Sequence, residues 1–376
     1  MRFQKLLCCL FLPISAVTFA QKMHLSDPQA TKETQNLYRN LKKLSVKAYL
    51  FGQQDALAYG VTWKYQDGRS DVKDITGDQP GLVGWDLSHI ENGSAVNIDT
   101  VPFIKIKQYI RKSYAKGAAV TISWHGNNPM TGKTAWDPEP GTVASILPGG
   151  SKHKVFTAQL DKIAAFLGRL KGSHGEAIPV LYRPFHEFTG SWFWWGTKDA
   201  TPEQFKQLYR FTVNYLRKTK HLHNLIIIYN TGTEFNNSIE YLARYPGDDV
   251  VDMLTFDTYE RTDPATDKSF ATDLSTRLSV IEKIARDKNK IAALGEVGYN
   301  GVPYATWWTG VLAPALEGHH IAYVLLWRNA GYKSNDKSTE YYVPYKGQVS
   351  EADFVKFYQL PQTIFEKDAG RLKLYN

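Results

Sequence analysis

The chain has only two cysteines in 376 residues, Cys8 and Cys9, and both lie within the first ten. That argues against a disulfide framework or a cysteine-ligated zinc site anywhere in its body. Beyond the first twenty residues no segment is apolar for long enough to span a membrane. No block of Lys and Arg is dense enough for a nucleic-acid arm. Lys105, Lys107, Arg111, Lys112 and Lys116 are spread along what reads as one solvated helix. There is no internal repeat and no low-complexity tract. With 43% hydrophobic and 22% charged residues, the composition is that of a folded chain.

What is present begins with an address. Residues 1–20 read MRFQKLLCCLFLPISAVTFA: a positive start at Arg2 and Lys5, an apolar run from Leu6 that Pro13 interrupts, and an end at Ala20. This pattern predicts a secretory signal peptide cleaved after Ala20. Removing 20 of 376 residues and two of the eight net positive charges leaves residues 21–376, 356 long, at +6. Leu7 stands where a lipoprotein signal needs a small residue before Cys8, so no lipid anchor is expected. The expectation is export to the periplasm or the medium, as a monomer with no nucleic-acid or membrane partner.

Along the rest of the chain, short apolar, β-branched runs alternate with longer helical patterns. The runs are 47–53, 81–87, 118–125, 178–187, 224–230, 251–259, 291–297 and 321–328, eight in all. Near-continuous hydrophobicity, rather than strict alternation, marks strands buried on both faces of a parallel sheet. Thr201-Pro202-Glu203 opens a helix with a cap, a first-turn proline and a first-turn acid. Leu160, Ile163, Leu167 and Leu170 form a helical stripe, as do Leu274, Leu278, Ile281 and Ala285. Trp307, Val311 and Leu312 suggest a helix between the last two runs, and Ser350 with Asp353 suggests a capped last helix. Eight strands alternating with helices and no linker predict an α/β fold, a single-domain (β/α)8 TIM barrel, ahead of an open doubly wound sheet. Three long connections, 54–80, 126–155 and 329–349, follow strand C-terminal ends and are expected to wall a cleft there.

The same ends carry the polar residues. Run three ends in Trp124-His125, run four in Arg183-Pro184-Phe185-His186-Glu187, run six in Asp257-Thr258-Tyr259, run seven in Gly295-Glu296 and run eight in Trp327-Arg328-Asn329. Glu187 and Glu296 face each other across an eight-stranded mouth. Two carboxylates flanking a glycosidic bond, one neutral and one ionised, are what its hydrolysis needs. Glu187, among Phe185, Phe188 and Trp192, reads as the acid, because apolar neighbours raise a carboxyl's pKa. Glu296 reads as the nucleophile, with Gly295 and Gly298 leaving room for a sugar ring. Arg183 is a candidate buried ion-pair partner for a carboxylate. Trp194 and Trp195 are adjacent and cannot both face one cleft; Trp63, Trp85 and Trp136 are either sugar platforms or packing. His89, His319 and His320 read as structural. Aromatic residues are 13% of the chain, and part of that is expected to floor a sugar site.

RPFHE followed by GSWFWWG, then DTY, LGEVG and WRN, resemble glycoside hydrolase family 26, the β-mannanase family of the four/seven barrel clan. The resemblance covers almost all of the chain after the leader, in order and spacing. It implies Glu187 as acid/base and Glu296 as nucleophile of a retaining double displacement. It places His186 and Trp192 in the active site, Tyr259 on the nucleophile, and Trp327 beneath the sugar at the cleavage point. It gives His125, Asp257 and Arg328 to the substrate or to the groups that hold it. The implied activity is β-1,4-mannan or galactomannan hydrolysis on a polysaccharide or oligosaccharide, with no cofactor and no metal. The alternatives are a same-family enzyme acting on β-1,3-xylan or mixed-linkage β-glucan, a metal-dependent hydrolase using His125, His186 and Asp257, and a non-catalytic glycan-binding barrel. Endo or exo action is left open.

Overall fold

The computed structural model describes residues 25–334 and 337–376. The predicted signal peptide, with Cys8 and Cys9, lies outside the described residues. Eight strands form the centre: β1 (Tyr49–Gln54), β2 (Leu82–Asp86), β3 (Ala119–Ser123), β4 (Val180–Arg183), β5 (Leu225–Thr231), β6 (Met253–Glu260), β7 (Ile291–Tyr299) and β8 (Ile321–Leu326). Each pairs with the next in parallel, and β8 pairs with β1 to close a barrel. The architecture is the predicted (β/α)8 barrel in one domain. Each strand overlaps its sequence run. Every residue of β1 to β5 and of β8 is buried, which is why those runs read as continuous rather than alternating.

Side chains on successive strand residues point to opposite faces, so the barrel interior fills in layers. The lower layer is apolar: Leu50, Leu82, Ala119, Leu181, Ile226 and Met253 pack with Leu37, Tyr38 and Leu41 of the helix Lys32–Leu44. That helix plugs the barrel's N-terminal end, its Tyr38 hydroxyl donating to the carbonyls of Asp252 and Asn289, just before β6 and β7. Burying each such Leu contributes about 1.5–3 kcal/mol. Two or four residues higher, on the same inward face, the layer turns polar: Asp86, Ser123, Arg183, Asn230 and Asp257, all buried. The outward faces carry Phe51, Val83, Trp85, Val120, Ile122 and Tyr182 into the helix-packed core.

The helix Pro202–Asn214 begins as predicted, with Thr201 and Gln204 forming a reciprocal capping box. The region of Trp307 and Val311 is not one regular helix: a π-helical segment, Trp308–Leu312, leads into Ala313–Leu316. Ser350 precedes the helix Glu351–Tyr358 without capping it. Its hydroxyl donates instead to Gln348 Oε1 at 2.7 Å, while Asp353 accepts from the Thr309 N–H at 2.9 Å. A further helix, Glu366–Leu372, follows it, so the one opened by Ser350 is not the last. Among the described residues no helix is long and apolar enough to cross a membrane.

Candidate active site

The strand C-terminal ends surround a cleft of about 520 Å³ lined by His125, Trp136, His186, Glu187, Trp192 and Phe193 on one side. Tyr259, Glu260, Arg261, Glu296, Tyr299, Asn300, Trp327 and Tyr342 line the other. The connection after β3 supplies Trp136 and the one after β8 supplies Tyr342. The long connection after β1 supplies no lining residue. Its Trp63 is buried and donates to Asp71 at 2.7 Å, and Trp85, Trp194 and Trp195 are fully buried, so these four are packing. Trp136 is 49% exposed and stacks on the His125 ring at 5.2 Å.

Glu187 stands on a turn beyond the end of β4, not in the strand. Phe185 and Glu187 both take φ 51°, a left-handed conformation that L residues avoid and that recurs at functional sites. The two reversals send Phe185 into the core against Trp194 and Trp195, each at 6.0 Å, and leave His186 and Glu187 on the cleft. Phe188 also turns into the core, onto Phe205 at 4.2 Å. Of the three aromatic neighbours expected to surround Glu187, therefore, Trp192 is the one that meets its carboxylate, donating Nε1–H to Oε2 at 3.0 Å. Burial, and then the charge of Glu296, push the Glu187 carboxyl up to about 7 against the opposing pull of Arg183 and Trp192.

Glu296 lies inside β7, where the register against β6 slips. Phe256 pairs with Leu294 but Asp257 pairs with Glu296, leaving Gly295 as an extra residue. This β-bulge puts Glu296 beside Asp257 on the inward face. Gly295 does not clear space for a sugar, as the sequence suggested. A Cβ there would strike Asn230 Oδ1 at 2.1 Å and Asp257 Oδ1 at 2.5 Å. Gly298 likewise makes room for the ring of Tyr342. Arg183, 1% exposed, donates Nη1–H to Asp257 at 2.8 Å and Nη2–H to Glu296. Asn230 also donates to Asp257, at 2.8 Å. The Tyr259 hydroxyl donates to the other oxygen of Glu296, and burial together with that carboxylate keeps the phenol well above its ordinary pKa and so protonated. A cation and a hydroxyl thus hold the Glu296 carboxylate in place, while Glu187 is poised to carry a proton.

Oxygens of Glu187, Asp257 and Glu296 lie within 4.8 Å of one another. Three clustered carboxylates could hold a cation, but the Arg183 guanidinium already supplies the positive charge between Asp257 and Glu296. The metal set suggested by His125, His186 and Asp257 does not assemble either. The Nε2 atoms of the two histidines face each other at 2.9 Å, and Asp257 is committed to Arg183 and Asn230.

Trp327 lines the cleft floor, and the Arg328 guanidinium lies 5.9 Å from its ring centroid. Arg328 itself is not among the lining residues. It pairs with Asp99 and with Glu340 at 3.1 Å, so it braces Trp327 and the hairpin Gly331–Lys333/Ser338–Glu340. Asp257 lines the adjoining hollow and accepts hydrogen bonds from Arg183 and Asn230. His319 bridges Glu282 and Ser275 and is structural. Sequence reasoning missed Asp86, which ends β2 and accepts a hydrogen bond from His125 Nδ1 at 2.8 Å. Its position at the end of an apolar run was the available signal. It also missed Tyr342, which only the folding of the last long connection brings to the cleft.

The Glycosyl hydrolase family 26 profile matches residues 26–307. The chain is 36% identical over 352 residues to a mannan endo-1,4-β-mannosidase of Bifidobacterium adolescentis, across 89% of this chain and 35% of that protein. It is thus about a third as long as that relative, and its match to a mannan endo-1,4-β-mannosidase of Thermothelomyces thermophilus covers 53% of that one. Among solved structures it is similar to a GH26 β-mannanase from Bacteroides ovatus, with a TM-score of 0.87 at 42% identity, over 92% of this chain and 98% of the other. A modular endo-β-1,4-mannanase from Cellulomonas fimi superposes with a TM-score of 0.83 at 34% identity, over 92% and 78%. With three quarters of its length matched by the family profile, this chain belongs to glycosyl hydrolase family 26.

Proposed function

We propose that this chain is an exported, retaining β-1,4-mannanase. The observation that carries the reading is the contrast between two carboxylates with oxygens within 4.8 Å of each other, one pushed up to about 7 and one held by Arg183 and Tyr259. A separation near 5 Å suits direct attack and is too short for the intervening water that inversion requires. Glu187 protonates the departing oxygen while Glu296 attacks the anomeric carbon. The resulting glycosyl-enzyme is then hydrolysed by a water that gives its proton to the now ionised Glu187. Trp327 floors the sugar at the cleavage point, and His125, His186 and Trp192 meet its flanks.

The cleft continues past Glu187 into a second hollow of about 480 Å³ lined by Glu187, Trp192, Gly232, Thr233, Glu234, Asp257, Thr258, Tyr259 and Arg261. Space on both sides of the acid supports cleavage within a chain, and the names of the relatives support mannan as the polymer. Product analysis on mannan, galactomannan, β-1,3-xylan and mixed-linkage glucan tests this. Mixed β-1,4-mannan oligosaccharides, released first as the β-anomer, are expected. Activity on xylan or glucan alone would overturn the substrate, release of a single disaccharide would overturn the endo mode, and the α-anomer would overturn retention.

A further inference from the structure

We propose that Asp86 is a positioning residue of the sugar-binding side of the site, acting through the hydrogen-bonded chain Asp86–His125–His186. The proposal rests on the glycosidase reading above.

Asp86 is 1% exposed at the inward end of β2. Its carboxylate accepts from the Ser88 N–H at 2.7 Å, the Ser88 hydroxyl, the Ser123 hydroxyl at 2.8 Å and His125 Nδ1 at 2.8 Å. Burial alone would raise its pKa, but the hydrogen bonds from His125 and Ser88 outweigh it and hold the carboxyl below the usual range. An ionised Asp86 accepts and does not donate, so the hydrogen in this contact belongs to His125 Nδ1. His125 Nε2 then meets His186 Nε2 at 2.9 Å, and those two nitrogens share one hydrogen.

His186 is 1% exposed and its Nδ1 has no hydrogen-bond partner among the described residues. Burial, His125 and Arg183 press its pKa well down, so its ring is neutral. Two arrangements satisfy these contacts. In the first, His125 is neutral, His186 donates from Nε2, and His186 Nδ1 is a bare acceptor. In the second, one further proton has been taken up. His125 is an imidazolium that donates from Nε2, and the hydrogen of His186 sits on Nδ1. The Asp86 charge permits the second form, because carboxylate and imidazolium then sum to zero in a buried place. Asp86 therefore decides which nitrogen of His186, whose ring lines the cleft beside Glu187 while its Nδ1 is buried, carries the hydrogen. The other charged groups around this chain are Asp55 and Glu91 behind Asp86, Arg183 from β4, Glu187 from the turn after it, Asp257 from β6 and Glu296 from β7. Trp136 and Phe193, packed on His125, are uncharged.

Asp86→Asn tests this, because an amide oxygen still accepts from a neutral His125 but does not balance an imidazolium. On the full chain, kcat/KM is expected to fall about tenfold or more, carried mainly in kcat. The loss should be equal on mannan oligosaccharide and on a nitrophenyl β-mannoside, since the chain acts on the sugar and not on the leaving group. Nitrogen NMR of the wild-type histidines should show His125 protonated at Nδ1. Unchanged kinetics per folded molecule, or a wild-type His125 unprotonated at Nδ1, would overturn the proposal. The nitrogen assignment keeps it testable even if the variant folds poorly. Glu296→Ala run in parallel separates the two readings: full activity in that variant sinks the glycosidase mechanism, whereas its inactivity beside an unaffected Asp86→Asn sinks only this one.

Discussion

The two glutamates reach the cleft by opposite means. Glu187 sits on a turn of left-handed residues, with Trp192 its one side-chain donor among the described residues. Glu296 sits inside a nine-residue strand, tied to a buried guanidinium and a phenol. The same residue type is thereby given two environments, and the difference comes from surroundings, not from the carboxyl itself.

Breaking the anionic side should cost most. Glu296→Ala should lower kcat on mannan by about 10⁴-fold or more, the scale of losing a nucleophile, with the fold retained by circular dichroism. Glu187→Ala should lower turnover of mannan by roughly 10² to 10⁴-fold. On a dinitrophenyl β-mannoside, whose leaving group needs no proton, a burst of dinitrophenolate should survive; absence of the burst would remove Glu187 from the acid role. Arg183→Met leaves Asp257 and Glu296 facing each other without a cation. It should destabilise the barrel by about 3–5 kcal/mol in denaturant titrations, and a wild-type midpoint would contradict the network.

The neutral side is read through pH. With Glu187 pushed up to about 7, the alkaline limb of kcat/KM should fall near that pH. The folded carboxyl keeps its proton to about 7, while the unfolded one loses it near the ordinary 4.5. Folding therefore binds a proton in that window, and stability declines as pH rises through it. Glu187→Gln should relieve the penalty above pH 7, by on the order of 3 kcal/mol, and do nothing below pH 4. The smallest effect belongs to Trp192→Phe. It removes the one donor that favours the Glu187 anion, and should move the alkaline limb upward by a few tenths of a unit. A downward movement would mean that Trp192 acts otherwise.

The barrel was legible because its strands are buried on both faces and its helices carry caps such as Thr201. The meeting of Glu187 and Glu296 at one cleft was legible because polar residues collect at strand ends. The surroundings were harder to read. Alternation predicts the direction of a side chain only while the backbone stays extended. Left-handed turns at Phe185 and Glu187 break that rule, so Phe185 and Phe188, read as apolar neighbours of the Glu187 carboxyl, turn into the core instead. Gly295 and Gly298 were read as space for a sugar, because a sequence does not say which neighbour comes close. Asp86 was passed over because one acid after an apolar run looks like the end of a strand.

The slip in β7 decides which way Glu296 faces. Had the ladder run on regularly from Leu294, Gly295 would pair with Asp257 and Glu296 would emerge among the helices. A chain with the same letters in this stretch therefore keeps an inward carboxylate only where its strand takes up the extra residue, and the close approach of Asn230 and Asp257 to Gly295 makes that position intolerant of a larger side chain.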